Sequence, residues 1–531
     1  MKSCAYAART VAKRTNGAMV AAACAVMFIS ACGGGGGSSS PPAAAPGISV
    51  SPSPLAFPAQ TVVTPSAAQV ITVTNSGNAA LSVTGVTVTG ANAAGFSQTN
   101  TCTSNVAPGA TCAISVTFTP TVGGAASAAI NIASNASASP TVVPVSGALT
   151  VLNFSTFQAA SVVIGAPDFV TVGSGAATAT TMSTNTGSGS AVSPNGRHYL
   201  SDSANHRILG YNTVPTANGA SADFVLGQTN FTSGTAGSSQ STLQHPAGVA
   251  IYNNHLLVAD YDNNRVLIWN SLPSSNDALP DVVVGQANFT TNASGCTATT
   301  LFTPLAVAVV NGNLAVLDAF NNRVLLYQGI PTANNAAAVN VLGQSSLTSC
   351  PAAVNPPTSS SLFYPRDVLF DGTHLWVADS RNSRVLAWNT TNPIALPTAK
   401  AADMVLGQAD FISNTTGVSS TALNFPAHLA FDVITGRFAV EDEANNRVLI
   451  WHKVPTCSAT PCVITTPADV VLGQSNFTSN VANAVPGTGA TGNAVPSANG
   501  LNYPFGVYLN GPNQLIVIDA DNNRELIFDA K

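Results

Sequence analysis

The chain reads as all-β: a two-sheet sandwich near its N-terminus, followed by a closed ring of six four-stranded units. Three observations lead there. Short alternating apolar stretches, separated by turn residues, fill residues 48–148. A Val-x-Gly-Gln pattern then recurs six times, its first copy (Val162 to Gly165) without the Gln, and an Asp-x-x-Asn-x-Arg pattern follows each copy. Recurrence of this kind marks one supersecondary unit packed against its own copies, and period-2 alternation between turn residues marks strands.

The first 31 residues are expected to be removed. Lys2, Arg9, Lys13 and Arg14 form a basic region and Gly17 to Ile29 an apolar one, too short to span a bilayer and of the length of a signal-peptide core. It ends in Ile29-Ser30-Ala31-Cys32, which resembles the lipobox of bacterial lipoproteins. That resemblance implies diacylation of Cys32 and a membrane partner through the lipid, which would anchor the chain stably. Residues 32–47 follow as a Gly/Ser/Pro tether, flexible at its start. Gly33 after the cysteine resembles lipoproteins sent to an outer membrane, so the expected location is the bacterial cell envelope.

Charge is scarce, at 7% of residues, and residues 15–167 contain no Lys, Arg, Asp or Glu. Loss of the four leader cations takes the formal charge from −5 to −9. With no basic patch to neutralise phosphates, nucleic acid is not an expected partner. Beyond the leader and Cys32 six cysteines remain, an even number that suits disulfides in an oxidising compartment. Cys102 with Cys112, and Cys457 with Cys462, would close short loops; Cys296 and Cys350 lie in equivalent loops of successive repeats and could staple neighbours. No cofactor or metal is expected, because CxxC spacings with nearby histidines are lacking.

Residues 48–148 carry candidate strands at Val62-Val63, Gln69 to Thr74, Leu81 to Thr89, Cys112 to Thr119 and Ala128 to Ile132. Their spacing predicts a seven-strand sandwich of immunoglobulin type. Cys102-Thr103-Ser104, Pro108 to Cys112, Val116 to Pro120, Gly123-Gly124 and Val143 to Gly147 resemble choice-of-anchor D and related hydin-like immunoglobulin domains. The resemblance implies a spacer or adhesion module.

Residues 150–531 hold the repeats. The glycines of Val-x-Gly-Gln, at 165, 227, 285, 343, 407 and 473, lie 62, 58, 58, 64 and 66 residues apart. The second pattern reads Asp202/Asn205/Arg207, Asp260/Asn263/Arg265, Asp318/Asn321/Arg323, Asp379/Asn382/Arg384, Asp442/Asn445/Arg447 and Asp519/Asn522/Arg524. Each apolar strand ending at the Asp turns and runs back from the Arg, so the motif is a hairpin. There the Asp can bond turn amides, the Asn can take a left-handed backbone, and the Arg can form a bidentate pair with an acidic or carbonyl partner at the blade edge. Upstream prolines (Pro246, Pro304, Pro365, Pro426, Pro504) mark an inner strand, which makes four strands per unit and a six-bladed β-propeller. Because the chain starts this region with a lone outer strand, Val162 to Gly165, that strand should complete the sixth blade and remove exposed edges. Val258-Ala259-Asp260 and Val377-Ala378-Asp379 with their Asn and Arg resemble NHL repeats; Leu200-Ser201-Asp202 and Val440-Glu441-Asp442 depart at the small residue.

A residue repeated six times serves the blade, so the motif Asp, Asn and Arg are expected to be structural and no catalytic residue is assigned. Function should lie where blades differ. Arg366 and Asp367 follow the proline of blade 4, His428 that of blade 5, and His245 precedes that of blade 2. These four are the candidate ligand-binding residues. The expectation is an envelope-anchored binding lipoprotein whose loop-rich propeller face takes a protein or glycan. The alternative, a metal-assisted lyase or hydrolase in the channel, is implied by the propeller resemblance and would need converging histidines.

Overall fold

The computed structural model describes residues 43–61, 64–173, 175–184, 187, 189–485 and 495–531. Cys32 with its leader, and Val62-Val63, lie outside the described residues. The described chain is all-β, with only single-turn 3₁₀ segments besides strands.

The sandwich has two four-stranded sheets. One runs Ser49–Ser51, Gln69–Thr74, Thr111–Phe118, Phe96–Asn100; the other runs Leu55–Ala56, Thr141–Leu149, Gly124–Ser134, Val83–Thr89. Eight strands stand where seven were expected. The first segment divides between the sheets, because Pro52 and Pro54 have no N–H to continue a ladder. Phe96–Asn100 has no apolar alternation and buries only Phe96, so it carried little signal. Alternate residues of the central strands (Ile71, Val73, Ile114, Val116, Ile130, Ile132) face inward and are fully buried.

The remaining sheets form the ring. Inner to outer, blade 2 runs Pro246–Tyr252, His255–Asp260, Arg265–Trp269, Val282–Val284, and the other blades repeat this order. In blade 6 the fourth strand is Val162–Ile164, antiparallel to Arg524–Asp529 with Val163 opposite Leu526. The glycine of each Val-x-Gly-Gln has a left-handed backbone, φ +80° to +97°. In blades 1 to 5 a Cβ there would meet a buried leucine at 2.5–2.8 Å, as Gly227 would meet Leu243; only glycine fits. Cys102–Cys112, Cys296–Cys350 and Cys457–Cys462 are disulfides. The last clips a loop whose end, Cys462–Ile464, crosses to blade 4 and adds a fifth, parallel strand beside Met404–Leu406.

The Asp-x-x-Asn-x-Arg corner is the same in every blade. The Arg Nε donates to the Asp Oδ2 at 2.6–2.7 Å, and both side chains are fully buried. The Asn amide donates to the same carboxylate. The other Asp oxygen accepts a backbone N–H from the loop entering the blade (Ser183, Gln244, Phe302, Phe363, Asn424, Asn502) at 2.6–2.7 Å. That corrects the expectation that it bonds the turn itself. The left-handed residue is also not the motif Asn but the next one: His206, Asn264, Asn322, Ser383, Asn446 or Asn523. The motif Asn instead turns inward to the carboxylate.

The arginines need a correction too. The bidentate pair at a blade edge, expected of Arg207, Arg265, Arg323, Arg384, Arg447 and Arg524, does not form in any blade. Each gives its Asp a single bond, from Nε, and spends its Nη groups on backbone carbonyls of two loops. Arg207 Nη2 donates to Thr178 and Thr181 in the loop entering blade 1, and Nη1 to Phe231 in the loop leaving it. Arg265 does the same with Ser239 and Thr242, then Phe289. Arg323 takes Thr297 and Thr300, then Leu347. Arg384 takes Thr358 and Ser361, then Phe411. Arg447 takes Ser419 and Ala422, then Phe477. Arg524 takes Ser497 and Gly500, then Phe169, so it also ties down the closing strand's loop. The reason is position: the guanidinium lies inside the corner, fully buried, where bare carbonyls outnumber carboxylates.

Five of the six blade junctions are linked by the left-handed residue; among the described residues the Ser383 hydroxyl of blade 4 has no hydrogen-bond partner. Asn264, Asn322 and Asn446 each accept the N–H of the residue before the next blade's proline at 2.8 Å. His206 does so for His245, and Asn523 takes Thr184 across the closure.

Removing one partner of a buried, hydrogen-bonded ion pair leaves an uncompensated charge and costs about 3–5 kcal/mol. Arg265→Met, Arg384→Met and Arg524→Met should therefore each lose about that much stability by chemical denaturation. Equal losses in three blades are expected; a loss confined to one would show that the corner is not a shared lock.

Candidate functional site

In every blade the inner strand is a sheet edge, so its unpaired backbone groups face the axis. A cavity of about 240 Å³ lies there, lined by inner strands of all six blades. Consecutive residues of each inner strand line it, from Gly248 to Ile251 in blade 2 and from Asp367 to Phe370 in blade 4. Two residues past each proline stand Gly248, Ala306, Asp367, His428 and Gly506, and all five line the cavity. One residue past it stand Ala247, Leu305, Arg366, Ala427 and Phe505. Leu305, Phe505 and Ala247 converge at the axis, since a Cβ on Gly187 would lie 3.2, 3.0 and 3.4 Å from them. They close the loop-rich end. Further along the strands Val249, Ile251, Leu369, Phe370 and Tyr508 are partly exposed. The described residues thus make the motif end the blind end of the cavity. None of the repeated motif residues lines it.

Asp367 and His428 sit at the blind end. Asp367 accepts the Val368 N–H on one oxygen and the Leu429 N–H of the next blade on the other, both at 2.8 Å. His428 Nδ1 lies 3.8 Å from Asp367 Oδ2, and its ring meets the Phe505 ring edge-on at 5.6 Å. Burial pushes the Asp367 carboxyl up to about 7; burial and then the Arg366 charge push His428 down to about 3. Both groups are therefore largely uncharged at mildly acidic pH.

Arg366 does not line the cavity. Its Nη1 pairs with Glu443, and its guanidinium covers the Phe505 ring at 4.6 Å. His245 does not either: its Nδ1 pairs with Asp262 at 2.5 Å on the loop-rich face, and its ring packs on His206 at 4.4 Å. The structure adds two acids that sequence reasoning had not placed in the site, Glu441 and Glu443. Glu441 is fully buried and neither of its oxygens has a hydrogen-bond partner. Burial, then Glu443, pushes its carboxyl well above the usual range, and burial pushes Glu443 up to about 7. The departure of Glu441 from the small residue of the motif was the available signal.

A second buried group joins blades 1 and 6. Ser190 Oγ lies 2.7 Å from His198 Nε2, and Glu525 Oε1 lies 3.4 Å from the same nitrogen. In a nucleophile relay the acid faces the other ring nitrogen; here His198 Nδ1 is buried without a partner. The group is an interblade contact. Among the described residues no three His, Cys, Asp or Glu side chains come together as a metal site would require.

The loop-rich face carries a row of rings. Phe302 and Phe320 centroids are 4.8 Å apart, and Phe320 and Tyr364 5.2 Å. Arg381 covers Tyr364 at 5.0 Å and Phe363 at 5.4 Å. Phe320 is 50% exposed and Tyr503 44%.

Residues 49–142 match the family described as "Abnormal spindle-like microcephaly-assoc'd, ASPM-SPD-2-Hydin", and residues 243–269 match the NHL repeat. The chain carries a hydin-like immunoglobulin-type domain followed by NHL-type propeller repeats. No curated protein matches. Among solved structures it is similar to a protein of unknown function from Bacteroides thetaiotaomicron (12% identity, 92% of this chain and 99% of that one, TM-score 0.43). It is also similar to virginiamycin B lyase from Staphylococcus aureus (10%, 64% and 94%, 0.35) and to an auxiliary nutrient binding protein from Bacteroides thetaiotaomicron (10%, 92% and 99%, 0.35). At these scores none of the three bears on what this chain does.

Glu441 gives the site a pH signature. Its folded-state carboxyl titrates above the unfolded one, so its contribution is present below the unfolded value and lost as pH rises through the folded one. Stability should fall from pH 5 to pH 8. Glu441→Gln should flatten that fall in denaturation curves across that range. An unchanged slope would mean that Glu441 is ionised in the folded protein.

Proposed function

We propose that this chain is a binding lipoprotein of the bacterial cell envelope, held by lipid on Cys32, most simply at an outer membrane. The hydin-like sandwich acts as a stalk, and the loop-rich face of the propeller takes a protein or glycan ligand. The observation that carries this reading is the row Phe302, Phe320, Tyr364 with Arg381 laid over it, in which Phe320 and Arg381 are exposed and the other two rings half-buried. A chain with 6% aromatic residues sets rings in series there, whereas its motif arginines are wholly buried. Aromatic and arginine side chains in a cluster are the usual anchors of recognition surfaces, and flat rings also stack on sugar faces. The Tyr261 and Tyr364 hydroxyls, 3.1 Å apart, offer hydrogen bonds beside the rings.

Two measurements test it. Cys32→Ser should move the protein from the membrane fraction to the soluble one; retention in the membrane would contradict the anchor. The mature protein should capture defined glycans on an array or a defined envelope protein by cross-linking. Phe320→Ala with Tyr364→Ala should weaken that capture at least about tenfold, about 1.4 kcal/mol, in a protein that circular dichroism shows to be folded. Capture that survives the double variant would place the ligand elsewhere.

A further inference from the structure

The blind end of the axial cavity is built for something other than a macromolecule. One carboxyl, Asp367, borders it, while Glu441 and Glu443 lie behind, Glu443 paired with the Arg366 guanidinium. Among the described residues the ion-pair neighbour of Asp367 is His428, 3.8 Å away. Asp367 borders the cavity itself. Its two oxygens are held by backbone N–H groups of blades 4 and 5, so its position does not depend on a cation of the protein. The walls are the free edges of six inner strands, whose carbonyl oxygens add acceptors, with Ser190 and Tyr508 as further polar lining.

We propose that this cavity binds a small organic ammonium ion, with Asp367 as its counter-ion and the neutral imidazole of His428 as a hydrogen-bond acceptor beside it. A fixed carboxylate at the closed end of a narrow, acceptor-lined channel complements a compact N–H donor carrying positive charge. A bulky or anionic molecule has no complement there. Hard metal ions fit poorly, since no group of three ligating side chains faces the cavity among the described residues. Binding requires Asp367 ionised. The groups packed around it are Arg366 on its own strand, His428 on the neighbouring inner strand, and Glu441 and Glu443 behind. With Asp367 pushed up to about 7, affinity for an amine that stays protonated should rise about 100-fold from pH 5 to pH 8, with a proton released on binding below pH 7.

The site is separate from the loop-rich face and does not rest on the reading of that face. Calorimetric titration of the mature full chain with ethylammonium chloride at pH 8, against ethanol as the neutral isostere and against Ca²⁺, tests it. Ethylammonium should bind at least tenfold tighter than ethanol or Ca²⁺, and weaken steeply toward pH 5. Asp367→Asn keeps the shape and one of the two acceptors; it should lose at least tenfold in affinity and the pH dependence, in a protein that circular dichroism shows to be folded. Phe320→Ala with Tyr364→Ala should leave the titration as it was, which separates failure here from failure of the loop-face reading. Equal binding of ethylammonium and ethanol, tighter binding of Ca²⁺, or an Asp367→Asn protein that binds as before would each overturn the proposal.

Discussion

Six arginines that never touch water hold the ring together. A buried ion pair alone is a poor source of stability, because taking both charges out of water costs about what their attraction returns. Here each guanidinium meets a carboxylate, the carbonyl after the blade and carbonyls before it, so its donors are spent on fixed acceptors. The carboxylate is saturated in turn by the Asn amide and a loop N–H. Each corner therefore joins the loop entering a blade to the loop leaving it, and in every blade but the fourth the left-handed residue hooks the next blade. Pairing of Val162–Ile164 with the last hairpin closes the circle, and Arg524 fastens the loop behind it. The rest of the propeller can then consist of Val, Leu, Ile and Ala.

A symmetric scaffold makes its exceptions informative. Blades 4, 5 and 6 break the pattern at neighbouring points: Arg366 and Asp367 past one proline, His428 past the next, Glu441 and Glu443 around one motif Asp, Phe505 past the last proline. Sequence distance conceals that these residues share one end of one channel. A partnerless buried acid such as Glu441 costs stability, and the corners supply the margin within which it persists.

The repeats were readable because period and composition agreed at every copy, and the disulfide pairs because their cysteines fell in equivalent or adjacent loops. The inside of each corner was less so: the loops that Arg207, Arg323 and Arg447 clasp differ in sequence, and a backbone carbonyl leaves no mark on composition. The candidate site was half readable. Asp367 and His428 were found as departures from small residues, but Arg366 and His245 were included with them because position near a proline does not reveal which face a side chain takes. In blades 2 to 6 the residue two past the proline lines the cavity and the one before it does not. Two features had no local signal. The Cys462–Ile464 strand pairs with another blade, and the Ser190, His198, Glu525 contact forms only because the ring closes.

The central claim is that identical corners make the six blades one cooperative unit. Hydrogen exchange followed by mass spectrometry tests it most directly. The turns at Ser203–Asn205, Tyr261–Asn263, Ala319–Asn321, Ser380–Asn382, Glu443–Asn445 and Ala520–Asn522 should exchange together with Val162–Ile164, at the rate of global unfolding. Early exchange of the closing strand, or of one blade's turn ahead of the rest, would contradict it.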